Sequence, residues 1–537
     1  MMQTPLSIGI MMEHAEKFFA KKEVISQTHD NLHRLTYAEV GERTRRLMSV
    51  LGQLGIQKGE RIGTLAWNHH RHLEIYFAAP GMGAVLHTIN IRLAPEHIIY
   101  IINHAEDRIL FIDEDILPLI EQVRDKLNTV KTFVVMTDKD ERPESNLTPL
   151  YSYEKLLQTG SPEQPFENDI DENDPAVMCY TSATTGKPKG VVYSHRGIVL
   201  HSYALGLADT AAISESDVSM PVVPQFHVNA WGTPFACTWF GSTQVMPGPR
   251  FTPKRLAAFI ERFKVTITAG VPTIWLGLLR ELEQEDYDTS SLRAVLCGGS
   301  AAPKGLIKAF EQKLGVPFAH AYGATETTPL VTYSRLKSYQ KDLSEEDTLN
   351  ERSKQGILVP GLEMRVINDA GDVTWNGEEM GELLLRGPWI ASEYYEDDRT
   401  ANAFRDGWFH TGDVVTVDGE GSIQIVDRTK DLIKSGGEWI SSVEIENAIM
   451  AHESVFEASV VAMPDAKWQE RPIACVVLHK DHHIGKDELL TFIRPQFPKW
   501  WVPDDVLFFD EIPKTSVGKF LKRELRTQVK EYYEIKN

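Results

Sequence analysis

Residues able to do chemistry fall at several separated places in this chain. The first runs Tyr180-Thr181-Ser182-Ala183-Thr184-Thr185-Gly186-Lys187-Pro188-Lys189-Gly190. Apolar AVMCY leads into it and VVYSH follows, which predicts a loop between two strands. The hydroxyls and backbone N–H groups of such a loop can wrap a triphosphate, and Lys187 and Lys189 set positive charge beside it. The same composition also marks an ordinary turn. The spacing G-x-x-x-x-G-K-[ST] is missing, so this is not the loop of the P-loop NTPases. Glu326 follows Ala321-Tyr322-Gly323-Ala324-Thr325. A carboxylate there can help hold Mg²⁺ against phosphate oxygens, or can satisfy N–H groups at a helix start. Asp413, after Thr411-Gly412, is a short acid in a turn, suited to two ribose hydroxyls or to an Asx-turn. Lys519 closes a turn-rich run from Pro513 and sits where a cation can move with its segment.

Four stretches occur in order: the loop at 180–190, Tyr322-Gly323-Ala324-Thr325-Glu326-Thr327, Gly407-Trp408-Phe409-His410-Thr411-Gly412-Asp413, and Pro513-Lys514-Thr515-Ser516-Val517-Gly518-Lys519. Together they resemble the motifs of the adenylate-forming superfamily, which includes acyl-CoA synthetases, firefly luciferase and the adenylation domains of peptide synthetases. The resemblance covers nearly the whole chain and is closest to bacterial fatty acyl-CoA ligases. It implies that ATP activates a carboxylic acid as an acyl-adenylate and that the acyl group then passes to coenzyme A. Ala183 stands where the family usually has Gly, so this loop tolerates a Cβ.

The resemblance gives each motif a role. Lys519 contacts the carboxylate and α-phosphate, and Thr181 joins Glu326 at the metal. Asp413 takes the ribose with Arg428 as second contact, and Gly298, Gly299 and Ser300 wall the adenine and acyl pocket. That last turn, after the strand-like Leu292–Leu296, also reads as a plain strand–turn–helix connection. Asp427-Arg428-Thr429-Lys430-Asp431 would contain the hinge, at Asp427, and Lys434-Ser435-Gly436-Gly437-Glu438-Trp439 the loop that serves thioester formation. Rotation at the hinge would withdraw Lys519 and bring in Gly436–Glu438, so that one domain serves both half-reactions.

The acid is read from Pro224-Gln225-Phe226-His227-Val228-Asn229-Ala230-Trp231. Amino-acid-activating relatives place an Asp near this point to pair with the substrate ammonium, and none is present. By resemblance His227, Val228 and Trp231 line the acyl pocket, with His227 beside the reacting carboxylate and Trp231 as gate. An aromatic pair four residues apart is equally what core packing produces. The expected substrate is a medium- or long-chain fatty acid. The alternative is a short acid such as methylthiopropionate, whose ligases share these strings. No carrier domain follows Asn537, which favours a diffusible thiol.

These motifs need elements to hold them. Leu35–Leu54 has apolar residues at helical intervals, and Thr36 with Glu39 forms an opening capping box. Arg61–Trp67, Ile109–Ile112 and Thr132–Met136 read as buried strands, with a helix over His72–Ala79. Strands spaced by helices predict α/β architecture. Glu141–Pro175 reads as loop and Ser334–Lys354 as a surface excursion. Met364–Gly387 reads as short strands with turns. The expected whole is an α/β N-terminal domain over 1–426 with a small β subdomain, then a small mobile α+β domain over 427–537.

The 537 residues carry a net charge of -20, which speaks against a nucleic-acid surface. Cys179, Cys237, Cys297 and Cys475 are far apart, as in a reducing compartment. The N-terminus lacks a basic start, no apolar run approaches the roughly 18 residues of a membrane span, and the chain ends EIKN. These readings predict a cytoplasmic enzyme, at most in passing contact with a membrane, and the resemblance adds a homodimer. The run Asn68-His69-His70-Arg71-His72 lacks acidic or cysteine partners in sequence and is expected to be a strand-to-helix connection, not a metal site.

Overall fold

A computed structural model describes residues 2–181, 186–435, 438–465, 467–515 and 520–536. They form sheets of seven, nine, six and five strands with helices packed on them. In the seven-stranded sheet, Leu150–Ser152, Thr132–Met136, Ile109–Asp113, Arg61–Leu65, Val85–Thr88 and Pro175–Tyr180 run parallel in that order. Gly190–Ser194 returns antiparallel at the edge. Ile109–Asp113 and Thr132–Met136 are buried throughout, as strands covered on both faces must be.

The nine-stranded sheet has a parallel centre. It includes Val218–Pro221, Ile267–Gly270, Ala294–Cys297 and Phe318–Gly323 as neighbours. The six-stranded sheet contains Glu363–Asn368, Gly381–Arg386, Trp408–Val417 and Ile423–Arg428, all antiparallel. It is the β subdomain expected from the turn-rich sequence. The five-stranded sheet, built on the long pair Val455–Asp465 and Gln469–Leu478, lies in the C-terminal region with its own apolar core. The α/β architecture is as expected.

Local chemistry explains the boundaries. The Thr36–Glu39 capping box is formed and opens the helix Tyr37–Gln53. The preceding Leu32–Thr36 is a strand, so Leu35 belongs to sheet and not to helix. His69 caps the helix His70–Gly81, accepting from the backbone N–H of His72. The histidine run is thus a buried connection and first turn. Glu141–Pro175 is not wholly loop: it contains the strand Leu150–Ser152 and the helix Tyr153–Leu157. Arg43 and Arg71, remote in sequence, both bind Glu154 and so anchor that short helix. The excursion at 334–354 holds the helix Glu345–Ser353, opened by Ser344. All four cysteines are free and buried. No helix among the described residues is long and apolar enough to cross a membrane.

Candidate active site

The strands Pro175–Tyr180 and Gly190–Ser194 form the hairpin that carries the phosphate loop, with Tyr180 opposite Gly190. At its neck the Thr181 N–H donates to the Lys189 carbonyl at 2.9 Å, and the Lys189 N–H donates to Thr181 Oγ1 at 3.1 Å. Ser182, Ala183, Thr184 and Thr185 lie outside the described residues. Lys189 Nζ donates to Tyr394 Oη at 2.6 Å and stands 3.5 Å from Glu326 Oε1. The Tyr394 hydroxyl donates to the same carboxylate oxygen at 2.7 Å. The hairpin is therefore tied to the Glu326 loop by a cation, a phenol and a carboxylate. Tyr193, on the second hairpin strand, adds a bond from its hydroxyl to the Thr325 carbonyl at 2.7 Å. Lys187 lies over the Tyr100 ring at 4.8 Å instead, and its carbonyl accepts from Arg399.

Burial holds the Lys189 ammonium below the usual lysine range, against the pull of Glu326. Lys430 is lowered in the same way, first by burial, and Lys189 and Arg428 add like-charge repulsion. Lys189, Lys430 and Arg428 thus stand close enough to repel one another, an arrangement that suits an anion.

Asp413 and Arg428 are cross-strand partners on Trp408–Val417 and Ile423–Arg428. Arg428 Nε lies 2.9 Å from Asp413 Oδ1, and the Tyr322 hydroxyl donates to Oδ2 at 2.6 Å. The Asp413 charge keeps the Arg428 guanidinium protonated. An ionised carboxylate has about four acceptor positions, so capacity remains for two ribose hydroxyls.

Gly298 follows the strand Ala294–Cys297. A Cβ there would stand 2.8 Å from the Ala321 carbonyl oxygen and 3.0 Å from the Trp231 ring. The absence of a side chain lets the edge of the Trp231 indole approach the backbone here, beside the Ala321 carbonyl. Gly299 and Ser300 continue this turn at the surface. His227 precedes a turn, Val228–Trp231, whose backbone is left-handed throughout, with φ of 45°, 52°, 49° and 57°. The four-residue interval from His227 to Trp231 is thus not the stripe of a right-handed helix, although Trp231 does pack against a buried apolar cluster.

In the C-terminal region, Ile433–Ser435 and Glu438–Ile440 pair antiparallel, with Ser435 opposite Glu438. Gly436, Gly437 and Lys519 lie outside the described residues, as does the Glu438 side chain. Lys434 Nζ sits 5.8 Å above the Trp439 ring, and Ser435 pairs with Gln469. Asp427 has its backbone in the strand Ile423–Arg428, while its side chain accepts from Ser442 and lies 3.8 Å from Lys522 Nζ. The proposed hinge residue therefore joins a strand of the β subdomain to helices of the C-terminal region.

The site holds residues that sequence reasoning passed over. Tyr394 and Tyr100 belong to no motif, and only the fold brings them to the loop, while Tyr193 lies in the strand that follows it. Trp468 and Trp500, 44% and 38% exposed, flank Ser435: Trp468 adjoins its strand partner Gln469, and Arg471 binds both Ser435 Oγ and the Trp500 carbonyl. A stretch with two adjacent tryptophans, Phe497-Pro498-Lys499-Trp500-Trp501, was a signal available in the sequence.

The donors present suit Mg²⁺, which keeps water and substrate phosphates and takes only one or two protein oxygens. Glu326 and Thr181 supply such oxygens on two loops joined through Lys189. No group of three or more His, Cys, Asp or Glu side chains placed to hold a metal ion occurs among the described residues.

Comparison with known proteins places the chain in a family. Residues 12–395 match the family model of the AMP-binding enzymes, and residues 444–519 the model of their C-terminal domain. A long-chain-fatty-acid–CoA ligase of Thermus thermophilus is 49% identical over 99% of this chain and 97% of its own. A 3-methylmercaptopropionyl-CoA ligase of Ruegeria lacuscaerulensis is 43% identical over 99% and 98%. Among solved structures, an anthranilate CoA ligase in complex with anthranoyl-AMP superposes with a TM-score of 0.88 at 25% identity, covering 99% of both chains.

Proposed function

Given that the chain belongs to the AMP-binding enzyme family and is an adenylate-forming CoA ligase, we propose that its acid is an apolar fatty acid of medium or long chain. The observation that carries this reading is the Trp231 indole set against Gly298 and packed on a buried apolar cluster. That wall is apolar, and the segment from Pro224 to Trp231 offers no carboxylate to a substrate ammonium. The 49% identity to a long-chain ligase supports the same class.

The residues divide the work. A carboxylate is a poor acyl donor, and attack of its oxygen on the α-phosphate of ATP expels pyrophosphate and leaves a mixed anhydride. No protein nucleophile is needed, so positioning and cationic donors carry the catalysis. Lys189 and the backbone of the 181–190 loop hold phosphate oxygens. Asp413 and Arg428 hold the ribose, and Gly298, Tyr322 and Gly323 flank the base. Lys519 bridges the carboxylate and α-phosphate, and His227 lies beside the acid. Mg²⁺, when bound at Glu326 and Thr181, would neutralise phosphate charge.

For the second half-reaction the C-terminal region turns about Asp427, and the loop from Lys434 to Trp439 guides the thiol. Its sulfur attacks the acyl carbon and AMP leaves. Trp468 and Trp500 offer flat faces beside that loop for the adenine of coenzyme A. The buried free cysteines fit a cytoplasmic enzyme, and a homodimer remains the expected assembly.

A short thioether acid is the second reading, favoured by the 43% identical methylmercaptopropionyl-CoA ligase. Both readings are tested by AMP release with ATP, CoA and straight-chain acids graded from propionate to palmitate, with methylthiopropionate alongside. A maximum at medium or long chains supports the proposal. A maximum at methylthiopropionate replaces it with the alternative.

A further inference from the structure

The turn after His227 is conformationally costly. Val228, Asn229, Ala230 and Trp231 all have positive φ, and Gly232 closes the turn at φ 75°. L-residues avoid this region by roughly 1–2 kcal/mol each, with Asn among the least averse. Within the turn the Ala230 N–H donates to the His227 carbonyl at 3.2 Å and the Gly232 N–H to the Asn229 carbonyl at 2.9 Å. Thr233 Oγ1 caps the Ala230 carbonyl at 2.7 Å. Local bonds of this kind are too few to offset four unfavourable residues, so outside contacts must hold the shape.

Asn229 supplies those contacts. Its side chain is 2% exposed. Nδ2 donates to Tyr76 Oη at 3.3 Å, and Oδ1 accepts from Cys179 Sγ at 3.3 Å. Tyr76 in turn donates to the Gln225 carbonyl, two residues before His227. Cys179 lies on Pro175–Tyr180, two residues before Thr181, and meets Thr88 Oγ1 at 3.2 Å. One amide thus fastens the turn to the strand that leads into the phosphate loop and, through Tyr76, to the segment that places His227. Trp231 is carried by this turn onto Gly298.

We propose that Asn229 is a positioning residue that sets acyl-chain selectivity: by clamping the left-handed turn to Tyr76 and Cys179 it fixes where Trp231 closes the acyl pocket. The proposal rests on the reading that Trp231 borders the acid. Asn229 acts through Trp231 and touches no reacting atom. Removing its amide leaves Tyr76 on the Gln225 carbonyl and Cys179 on Thr88, but cuts both from the turn and frees it to relax toward ordinary φ.

The experiment is the graded acid panel on the native enzyme, Asn229→Ala, Asn229→Gly, Cys179→Ala and Cys179→Ser, reading kcat/KM for each acid and KM for ATP. Asn229→Gly is included because glycine keeps positive φ at little cost, so a folded variant lacking only the clamp is available. The native order of acids first fixes the substrate class, whatever the variants do. For the best acid, kcat/KM should fall about tenfold in Asn229→Ala and Asn229→Gly, the scale of one lost buried hydrogen-bond partner. The ratio between best and poorest acids should narrow by a similar factor, while KM for ATP changes less than about twofold. Cys179→Ala should move the profile the same way, and Cys179→Ser, which keeps a donor, should preserve the native order. A uniform fall across all acids, or a KM for ATP that shifts as far as the acid terms, overturns the proposal and leaves Asn229 a fold residue only.

Discussion

Asp413 and Arg428 face one another across an antiparallel strand pair, with Nε 2.9 Å from Oδ1, and this pair ties the proposed ribose contact to the residue just past the proposed hinge. On the proposed mechanism, a turn of the C-terminal region about Asp427 would pull on this pair. Replacing Asp413 with Asn keeps the size and the Tyr322 contact but removes the charge that holds Arg428. KM for ATP should rise by about tenfold, the scale of a lost charge-assisted bond, while KM for the acid stays near native. Steady-state kinetics with ATP varied at saturating acid checks this. An unchanged KM for ATP would remove Asp413 from the ribose site.

Tyr394 bridges Lys189 and Glu326 with bonds of 2.6 and 2.7 Å. Tyr394→Phe leaves the ring under Lys189 and deletes both bonds. The expected result is a drop of about tenfold in the adenylation rate, consistent with loss of one oriented donor, and a higher Mg²⁺ requirement. Pyrophosphate exchange measured across a Mg²⁺ titration reads both. A variant with native exchange at all Mg²⁺ levels would make the triangle a purely structural link.

How much of this site can be read from sequence depends on how each part is encoded. Lys189, Glu326 and Asp413 stand in contiguous strings whose residue types suit their proposed chemistry, and the fold sets Lys189 beside Glu326 and Asp413 beside Arg428. The parallel sheet follows from buried runs such as Thr132–Met136, and the Thr36–Glu39 cap from its spacing. Tyr394 is different: it is one of two adjacent tyrosines more than sixty positions from Glu326, and only tertiary packing makes it a partner. The turn at 228–231 was illegible for another reason. A four-residue interval looks the same whichever hand the backbone takes, and only Asn229 and Gly232 hint at positive φ.

Trp468, 44% exposed beside the Ser435 strand, gives a test confined to the second half-reaction. Trp468→Ala should raise KM for CoA by about five- to tenfold, the order expected for one lost aromatic stacking face. Acyl-adenylate formation without CoA should proceed at the native rate. Equal effects on both half-reactions would contradict a CoA-side role.

Two buried imidazoles set an acid limit on stability. Burial pushes His195 down to about 4 and His201 to about 3. Each accepts a backbone N–H, from Ile8 at 3.1 Å and from Leu330 at 3.3 Å, and protonation would abolish that acceptor. The unfolded chain takes up these protons near pH ~6.5, the native fold only well below it. Their contribution is therefore complete above about pH 6.5 and is lost as pH falls toward 4. Denaturant midpoints should hold level from neutral pH upward and decline below ~6.5, less steeply in His201→Gln. A midpoint independent of pH across that window would contradict the assignment.

The central claim is that a fatty acid is joined to AMP before any thiol takes part, with Lys519 as the bridging cation. The most direct test is pyrophosphate exchange into ATP in the absence of CoA, with and without a medium- or long-chain fatty acid, for the native enzyme and Lys519→Ala. The account predicts exchange that requires the acid and that falls by at least about a hundredfold in Lys519→Ala, the size typical of one lost electrostatic contact to a transition state. Acid-independent exchange, or a Lys519→Ala enzyme that exchanges at the native rate, would contradict it.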